Sequence, residues 1–122
     1  MSIKKIEERV VEQHTSIICL VFLNLIFFGA ILNMNVILMN DGRMPVLANR
    51  VNNLDTHFPF SDFDSVTFPY LADIINLDIG RYYYNLSIGD LFVYLSSISV
   101  VIYLIVYKIR KKKLVSEVKV VN

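Results

Sequence analysis

The chain has 122 residues, 55% of them hydrophobic, with a mean hydropathy of +0.52 and a formal net charge of +1. This length limits it to one ordinary domain. A soluble domain usually contains about 45–50% apolar residues. Here the excess is concentrated in two segments, and the remainder is too polar to build a sizeable soluble core.

The first fifteen residues are charged, with Ile3, Ile6 and Val10 at roughly helical spacing. We expect residues 1–15 to be a cytoplasmic segment that extends the first membrane helix along the interface.

Residues 16–39 contain no charged side chain. As a helix these residues extend about 36 Å, more than the roughly 30 Å of a hydrocarbon core. Their apolar run is longer than that of a signal peptide and no small-x-small cleavage site follows, so we expect an uncleaved anchor. Cys19 lies inside this span and cannot form an intramolecular disulfide, since it is the chain's one cysteine. It is expected to face lipid or helix, with lipidation or dimerisation as alternatives.

Residues 88–107 form the second predicted span, about 30 Å long as a helix, and residues 108–122 form a basic tail. Polar and small residues in membrane helices usually face another helix. If the two spans run antiparallel, these polar and small residues lie at closely matching depths in the two helices. Polar residues that the other helix leaves without a partner would face another protein. The predicted packing residues are Asn24, Gly29, Asn33, Ser96 and Ser99, with Asn33 level with Asp90.

Charge separates sharply between the tails and the loop. Nine basic residues lie on the tails, whereas the loop holds three arginines and no lysine. Because positive residues near membrane helices are retained inside, we expect both termini in the cytoplasm. A nucleic-acid patch at residues 108–113 is the disfavoured alternative, since a basic run after an apolar helix is typical of a membrane anchor that attracts anionic lipid. We therefore expect no nucleic-acid partner.

Residues 40–87 are predicted to form an ordered extracytoplasmic loop. Asn40-Asp41-Gly42 is a helix-ending turn signal. We expect short interfacial helices at Pro45–Asn53 and Tyr70–Leu77, and irregular chain over residues 56–64. The loop is rich in aromatic residues, which favour the water–lipid boundary, so it should fold back over the outer helix ends.

Ser87-Ile88-Gly89-Asp90 has the spacing of a capping box at the start of the second span. Ser87 would cap the free backbone amides, and Asp90 would reach back to the Ser87 amide. The predicted fold class is an all-α membrane protein with two antiparallel transmembrane helices joined by this loop.

Three segments occur in a particular order: Asn40-Asp41-Gly42-Arg43-Met44-Pro45-Val46, then Leu71-Ala72-Asp73-Ile74-Ile75-Asn76-Leu77, then Ser87-Ile88-Gly89-Asp90. This order resembles an uncharacterised bacterial family of small membrane proteins, over roughly residues 34–107. In that family a glycine stands where this chain has Asp41, and many members carry additional upstream membrane helices. The resemblance implies a membrane fold and a bacterial inner membrane, and it implies no activity.

Arg43 is the candidate centre of a polar cluster at the outer end of the first span. Asp41, Asp73 and Asp90 are its possible partners. The cluster would either clamp an anion or lipid headgroup through the planar guanidinium or pin the loop by salt bridges, and we favour the second interpretation.

A second group comprises Asp55, His57, Asp62 and Asp64. Carboxylates suit calcium, and histidine with carboxylates suits zinc. The spacing matches no established metal motif, so we expect no metal and no cofactor. No nucleophile triad, phosphate loop or CxxC motif is present, so we expect no enzyme.

The sequence favours a non-enzymatic accessory, regulatory or assembly subunit of a membrane complex. Its expected partners are the lipid bilayer and either other membrane proteins or further copies of itself. The alternative is a binding or transport component that holds a small ligand or lipid headgroup beneath the outer loop.

Overall fold

The computed structural model describes residues 3–47, 51 and 53–120, and the side chains of residues 11–47, 51 and 53–112. The chain forms two compact units. The first joins Met1–Asn24 to Leu95–Asn122, and the second is Leu25–Tyr94.

Two long helices dominate the secondary structure. Helix α1 spans Ile3–Met39 and helix α2 spans Ile88–Val120. Their stretches Val11–Met39 and Ile88–Lys112 are long and apolar enough to cross a membrane. In the most apolar 18 residues of each stretch, only 6% (α1) and 11% (α2) of the residues are buried by the rest of the protein. This exposure argues against the central helix of a soluble core, which would be mostly buried.

In the first unit, polar contacts join the two helices near their chain ends. The Tyr103 hydroxyl donates to Thr15 Oγ1 at 3.4 Å, and Lys111 Nζ lies 3.3 Å from Glu12 Oε1. Both partners of the ion pair are more than half exposed. Such a pair contributes little to stability, typically less than about 1 kcal/mol.

In the second unit, α1 ends where the turn signal predicts. Asp41 and Gly42 both adopt positive φ, at 54° and 78°, and the Gly42 amide donates to the carbonyl of Ile37. The Asn40 side chain accepts from the Thr67 amide at 2.9 Å and donates to the Thr67 carbonyl at 2.9 Å. Asn40 thereby ties the end of α1 to a distant part of the loop.

The loop contains a small buried layer. Strand β1, Met44–Val46, is buried throughout and pairs in parallel with strand β2, His57–Pro59. On the other side of β1, the Asp73 amide donates to the Pro45 carbonyl and the Leu47 amide donates to the Asp73 carbonyl. The chain around Asp73 thus lies beside β1 like a third strand. Among the described residues of the second unit, the buried apolar side chains are Val36, Met44, Pro45, Val46, Phe60 and Ala72.

A hairpin leads from this layer into α2. Strand β3, Ile75–Ile79, pairs antiparallel with strand β4, Tyr82–Leu86. The two-residue connection has Gly80 at φ 65° in its first position, where such hairpin turns favour glycine.

These strands correct the all-α prediction. The expected helix at Pro45–Asn53 is wrong in its described part, which includes β1; residues 48–50 and 52 of it lie outside the description. Proline is favoured at the start of a helix, and this local signal predicts a helix at Pro45. The Pro45 carbonyl instead accepts from the Asp73 amide, and the Val46 carbonyl accepts from the Phe60 amide. These bonds to distant residues hold the segment as a strand. His57–Pro59, expected to be irregular, supplies part of that pairing as β2.

The expected helix at Tyr70–Leu77 is also wrong. Its first residues belong to a 3₁₀ turn at Pro69–Leu71, and its last belong to β3. The tyrosine-rich β4 provides a pairing partner for β3, and β-branched and aromatic residues suit strands. A second 3₁₀ turn occupies Phe63–Ser65.

Candidate functional site

The start of α2 is bonded to α1 through three polar side chains. Asn33 Nδ2 donates to Asp90 Oδ1 at 2.7 Å, and the Ser87 amide donates to Asp90 Oδ2 at 2.9 Å. The Asp90 amide donates in turn to Ser87 Oγ at 3.0 Å. These last two hydrogen bonds are those of a capping box, and the first joins two residues that their depths along the helices predict to be level.

The Ser87 hydroxyl completes this network. Its oxygen lies 2.8 Å from Asn33 Oδ1 and 2.9 Å from Asp90 Oδ2, and its one hydrogen can be donated to either. Ser87 is fully buried. Because a buried polar group that loses its partner costs about 1–3 kcal/mol, the three side chains stabilise each other as a set.

Glycine makes this approach of the helices possible. A Cβ on Gly89 would overlap the Asn33 side chain and lie 2.7 Å from the Gly29 carbonyl oxygen. A Cβ on Gly29 would lie 2.5 Å from the Gly89 carbonyl oxygen. Gly29, predicted from sequence to be a packing residue, therefore lies at a close contact with α2.

Asp73 is the most unusual titratable group in the described chain. It is 2% exposed, and its Oδ1 atom is buried with no hydrogen-bond partner. Its Oδ2 atom lies 3.6 Å from Nε2 of the half-buried His57. Burial, followed by repulsion from Asp90, raises the pKa of Asp73 from 3.8 to about 7. This carboxyl can therefore take up or release a proton near neutral pH.

The structure does not assemble the predicted cluster around Arg43. Arg43 is exposed, and its guanidinium carbon lies 5.3 Å from the centre of the Phe58 ring. The ion pairs among the described side chains join His57 to Asp73 and Lys111 to Glu12. Asp41 is exposed in the left-handed turn. The salt bridges expected of Arg43 are thus wrong, because the buried layer around β1 assigns Asp73 to the histidine of β2.

The other predicted packing residues differ in exposure. Ser96 is buried and Ser99 is half-buried. Asn24 is exposed, and its side-chain amide donates to the Leu20 carbonyl of its own helix at 2.8 Å. The prediction that Asn24 packs between the two helices is therefore wrong. Within the first unit, Asn24 lies on the side of α1 opposite to Ile18, Cys19 and Phe22, which are half-buried.

The structure does not bring Asp55, His57, Asp62 and Asp64 together as metal ligands. Within the described residues, no three His, Cys, Asp or Glu side chains form a group suited to a metal ion. Asp62 instead caps the 3₁₀ turn by accepting from the Asp64 amide, and His57 lies beside Asp73.

The pairing of His57 with Asp73 was missed from sequence. One available signal was that Asp73 lies between Ala72 and Ile74 in an apolar stretch, so its burial would demand a partner. Which residue becomes that partner depends on the parallel pairing of β1 with β2, for which the sequence carries no short-range signal. The role of Asn40 as a tie to Thr67 was missed for the same reason.

A protein-family model matches most of the chain. A family of unknown function, DUF5317, matches residues 18–106, which include most of both apolar helices and the whole loop between them. No curated protein and no solved structure matches the chain. The match covers well over half of the sequence, and the chain belongs to the DUF5317 family.

Proposed function

We propose that this protein is a non-enzymatic subunit that crosses a bacterial inner membrane twice and acts by binding another membrane protein through the exposed side of α1. Its role would be accessory, regulatory or assembly-related. The observation that supports the proposal is the exposure of Asn24, a polar side chain near the middle of the apolar stretch of α1.

Asn24 lies 13 residues into the 29-residue stretch Val11–Met39, or about 20 Å along the helix axis. Lipid at this depth offers a side-chain amide no hydrogen-bonding partner. The bond to Leu20 uses one of the two amide hydrogens. A partner helix would satisfy the remaining groups, and such interhelical bonds contribute about 0.6–2 kcal/mol each.

Within the first unit, Leu20 and Val21 are exposed on the same side of α1 as Asn24, within about 60° around the helix axis. We call Leu20, Val21 and Asn24 the asparagine face of α1. In the second unit, Asn35 is a further exposed polar residue of the apolar stretch, and it bonds to its own helix at the Ile31 carbonyl.

The test is purification of the tagged protein from its native membrane with identification of what accompanies it. Asn24→Leu keeps the span apolar and removes the amide, so we expect it to lose the partner. Leu23→Ala is the matched control, because Leu23 is exposed and lies a quarter turn away from Asn24. The proposal fails if the protein purifies as a lone monomer, or if Asn24→Leu retains the partner as well as the control does.

The alternative of a ligand held beneath the loop by Arg43 and Asp73 has less support. Arg43 lies over the Phe58 ring and not beside the buried carboxyl. We therefore assign no ligand to Arg43 or Asp73.

A further inference from the structure

The β3–β4 hairpin has one apolar and one largely polar face. Cross-strand partners share a face, and successive residues alternate between faces. The register places Leu77 opposite Tyr84 and Ile79 opposite Tyr82 on the first face. Asn76 lies opposite Asn85, and Asp78 opposite Tyr83, on the second. We call the first the apolar hairpin face, comprising Ile75, Leu77, Ile79, Tyr82, Tyr84 and Leu86.

The apolar face of the hairpin is exposed toward its turn, unlike the apolar face of a soluble antiparallel sheet. On its polar face, Tyr83 and Asn85 are half-buried, whereas Asn76 and Asp78 are exposed, with Asn76 Nδ2 donating to the Leu47 carbonyl at 2.8 Å. On the apolar hairpin face, Ile79 is 62% exposed and Tyr82 is 67% exposed. A soluble antiparallel sheet buries its apolar face and exposes its polar one. The hairpin therefore turns its apolar face toward an apolar environment outside the chain.

The position of the hairpin indicates which environment this is. Strand β4 ends at Leu86, and Ser87 alone separates it from Ile88, where the second apolar stretch begins. A five-residue strand extends only about 17 Å, so the whole face lies close to the membrane boundary. The Tyr82 and Tyr84 rings stack at 6.3 Å on this face, and tyrosine combines an apolar ring with a polar hydroxyl that suits headgroup depth.

We propose that the apolar hairpin face is a lipid-binding surface, seated in the interfacial region of the leaflet at which α2 begins. The exposed Arg81 at the hairpin turn lies at the depth of the phosphate groups and can donate to them. A lipid surface explains both the exposed apolar face and the short connection from β4 to α2. The proposal is independent of the asparagine face of α1, which lies on a different element.

The test measures the depth of single spin labels in purified protein reconstituted into phosphatidylethanolamine–phosphatidylglycerol vesicles. Cys19→Ser supplies the cysteine-free background, since the chain has one cysteine. Labels are placed at Ile79→Cys and Tyr82→Cys on the apolar hairpin face, and at Asp78→Cys on the opposite face as the matched control. Collisions with oxygen report lipid, and collisions with a water-soluble nickel chelate report solvent.

We expect both labels on the apolar face to collide with oxygen several-fold more, and with the chelate several-fold less, than the label at position 78. Equal access of the chelate to all three labels would overturn the proposal, because the face would then lie in water. Exclusion of both reagents from positions 79 and 82 would also overturn it, because a second protein copy would then cover the face. The three labelled positions are exposed and Cys19 is half-buried; thermal unfolding of each labelled protein beside the Cys19→Ser background checks that the fold is retained.

Discussion

At the scale of single residues, the buried carboxyl of Asp73 couples the loop to pH. Its backbone joins β1 on one side, so its side chain is held inside the layer whatever its charge. His57 from β2 faces it, and Asp90 from α2 repels its charged form. Burial makes the ionised form costly, and one carboxylate oxygen has no hydrogen bond to offset this cost.

The stability of the protein should therefore fall as pH rises from about 4 to about 7. The folded state holds the Asp73 proton up to a pKa of about 7, whereas an unfolded chain releases it near 3.8. Because the folded state binds more protons in this interval, each step upward in pH favours unfolding, by at most about 4 kcal/mol in total. Thermal unfolding in detergent across this pH range measures the effect.

Asp73→Asn should flatten the profile between pH 4 and 7 and raise the melting temperature at pH 8. Asp78→Asn, at an exposed acid, is the control and should leave the profile unchanged. A profile of Asp73→Asn that falls as steeply as that of the unmodified protein would show that another group is responsible.

At the scale of the elements, α1 and α2 are joined in the second unit by a glycine contact and a polar network one turn apart. Gly29 and Gly89 allow the backbones to approach, and Asn33 then reaches Ser87 and Asp90. The Ser-Ile-Gly-Asp segment thus has a physical explanation at three of its four positions: a cap, a close approach and an acceptor.

Ser87→Ala should destabilise the protein by about 1–2 kcal/mol, because it removes the cap of α2 and a hydrogen bond to Asn33 or Asp90. The thermal unfolding midpoint in detergent measures this loss. Ser61→Ala, at an exposed serine of the loop, should have little effect. An unchanged midpoint for Ser87→Ala would mean that the network contributes nothing to stability.

Gly29→Ala should destabilise the packing of the helices by about 1–3 kcal/mol, because the new Cβ would meet the Gly89 carbonyl and the Phe92 Cβ, at 2.5 and 2.8 Å. Ala30→Val adds larger bulk at the next, exposed position and should be tolerated. Equal midpoints for the two variants would contradict a tight contact at Gly29.

At the scale of the whole molecule, the expected orientation follows from charge. Nine basic residues lie before the first apolar stretch or near and beyond the end of the second, and such residues remain in the cytoplasm. The loop and its hairpin would then face outward. This orientation is a prediction about insertion, since both helices satisfy the requirements of a span in either direction.

Reporter fusions test it directly. A reporter active only in the cytoplasm should be active at both termini, and one active only outside should be active when inserted at the exposed Ser61. Activity of the outside reporter at either terminus would reject the orientation.

The sequence alone determined the two apolar helices, because each carries its signal in a continuous local run. It also determined the ends of these helices that flank the loop, since Asn40-Asp41-Gly42 and the Ser87 cap act within a few residues. The family resemblance rested on the segments at these two helix ends and on residues 71–77 between them. The depth match of Asn33 with Asp90 could be read from counting residues, because helices have a constant rise.

Only the tertiary structure decided how the loop pairs and which side of α1 is free. Strand β1 reads as a helix start at Pro45, yet it lies between His57–Pro59 and Asp73, partners distant in the chain. The same pairing placed the Asp73 carboxyl beside His57, and Arg43 lies over the Phe58 ring. In an apolar helix every face has a similar composition, so the sequence alone did not show that Asn24 is exposed. These outcomes depend on long-range contacts, which local propensity and spacing do not encode.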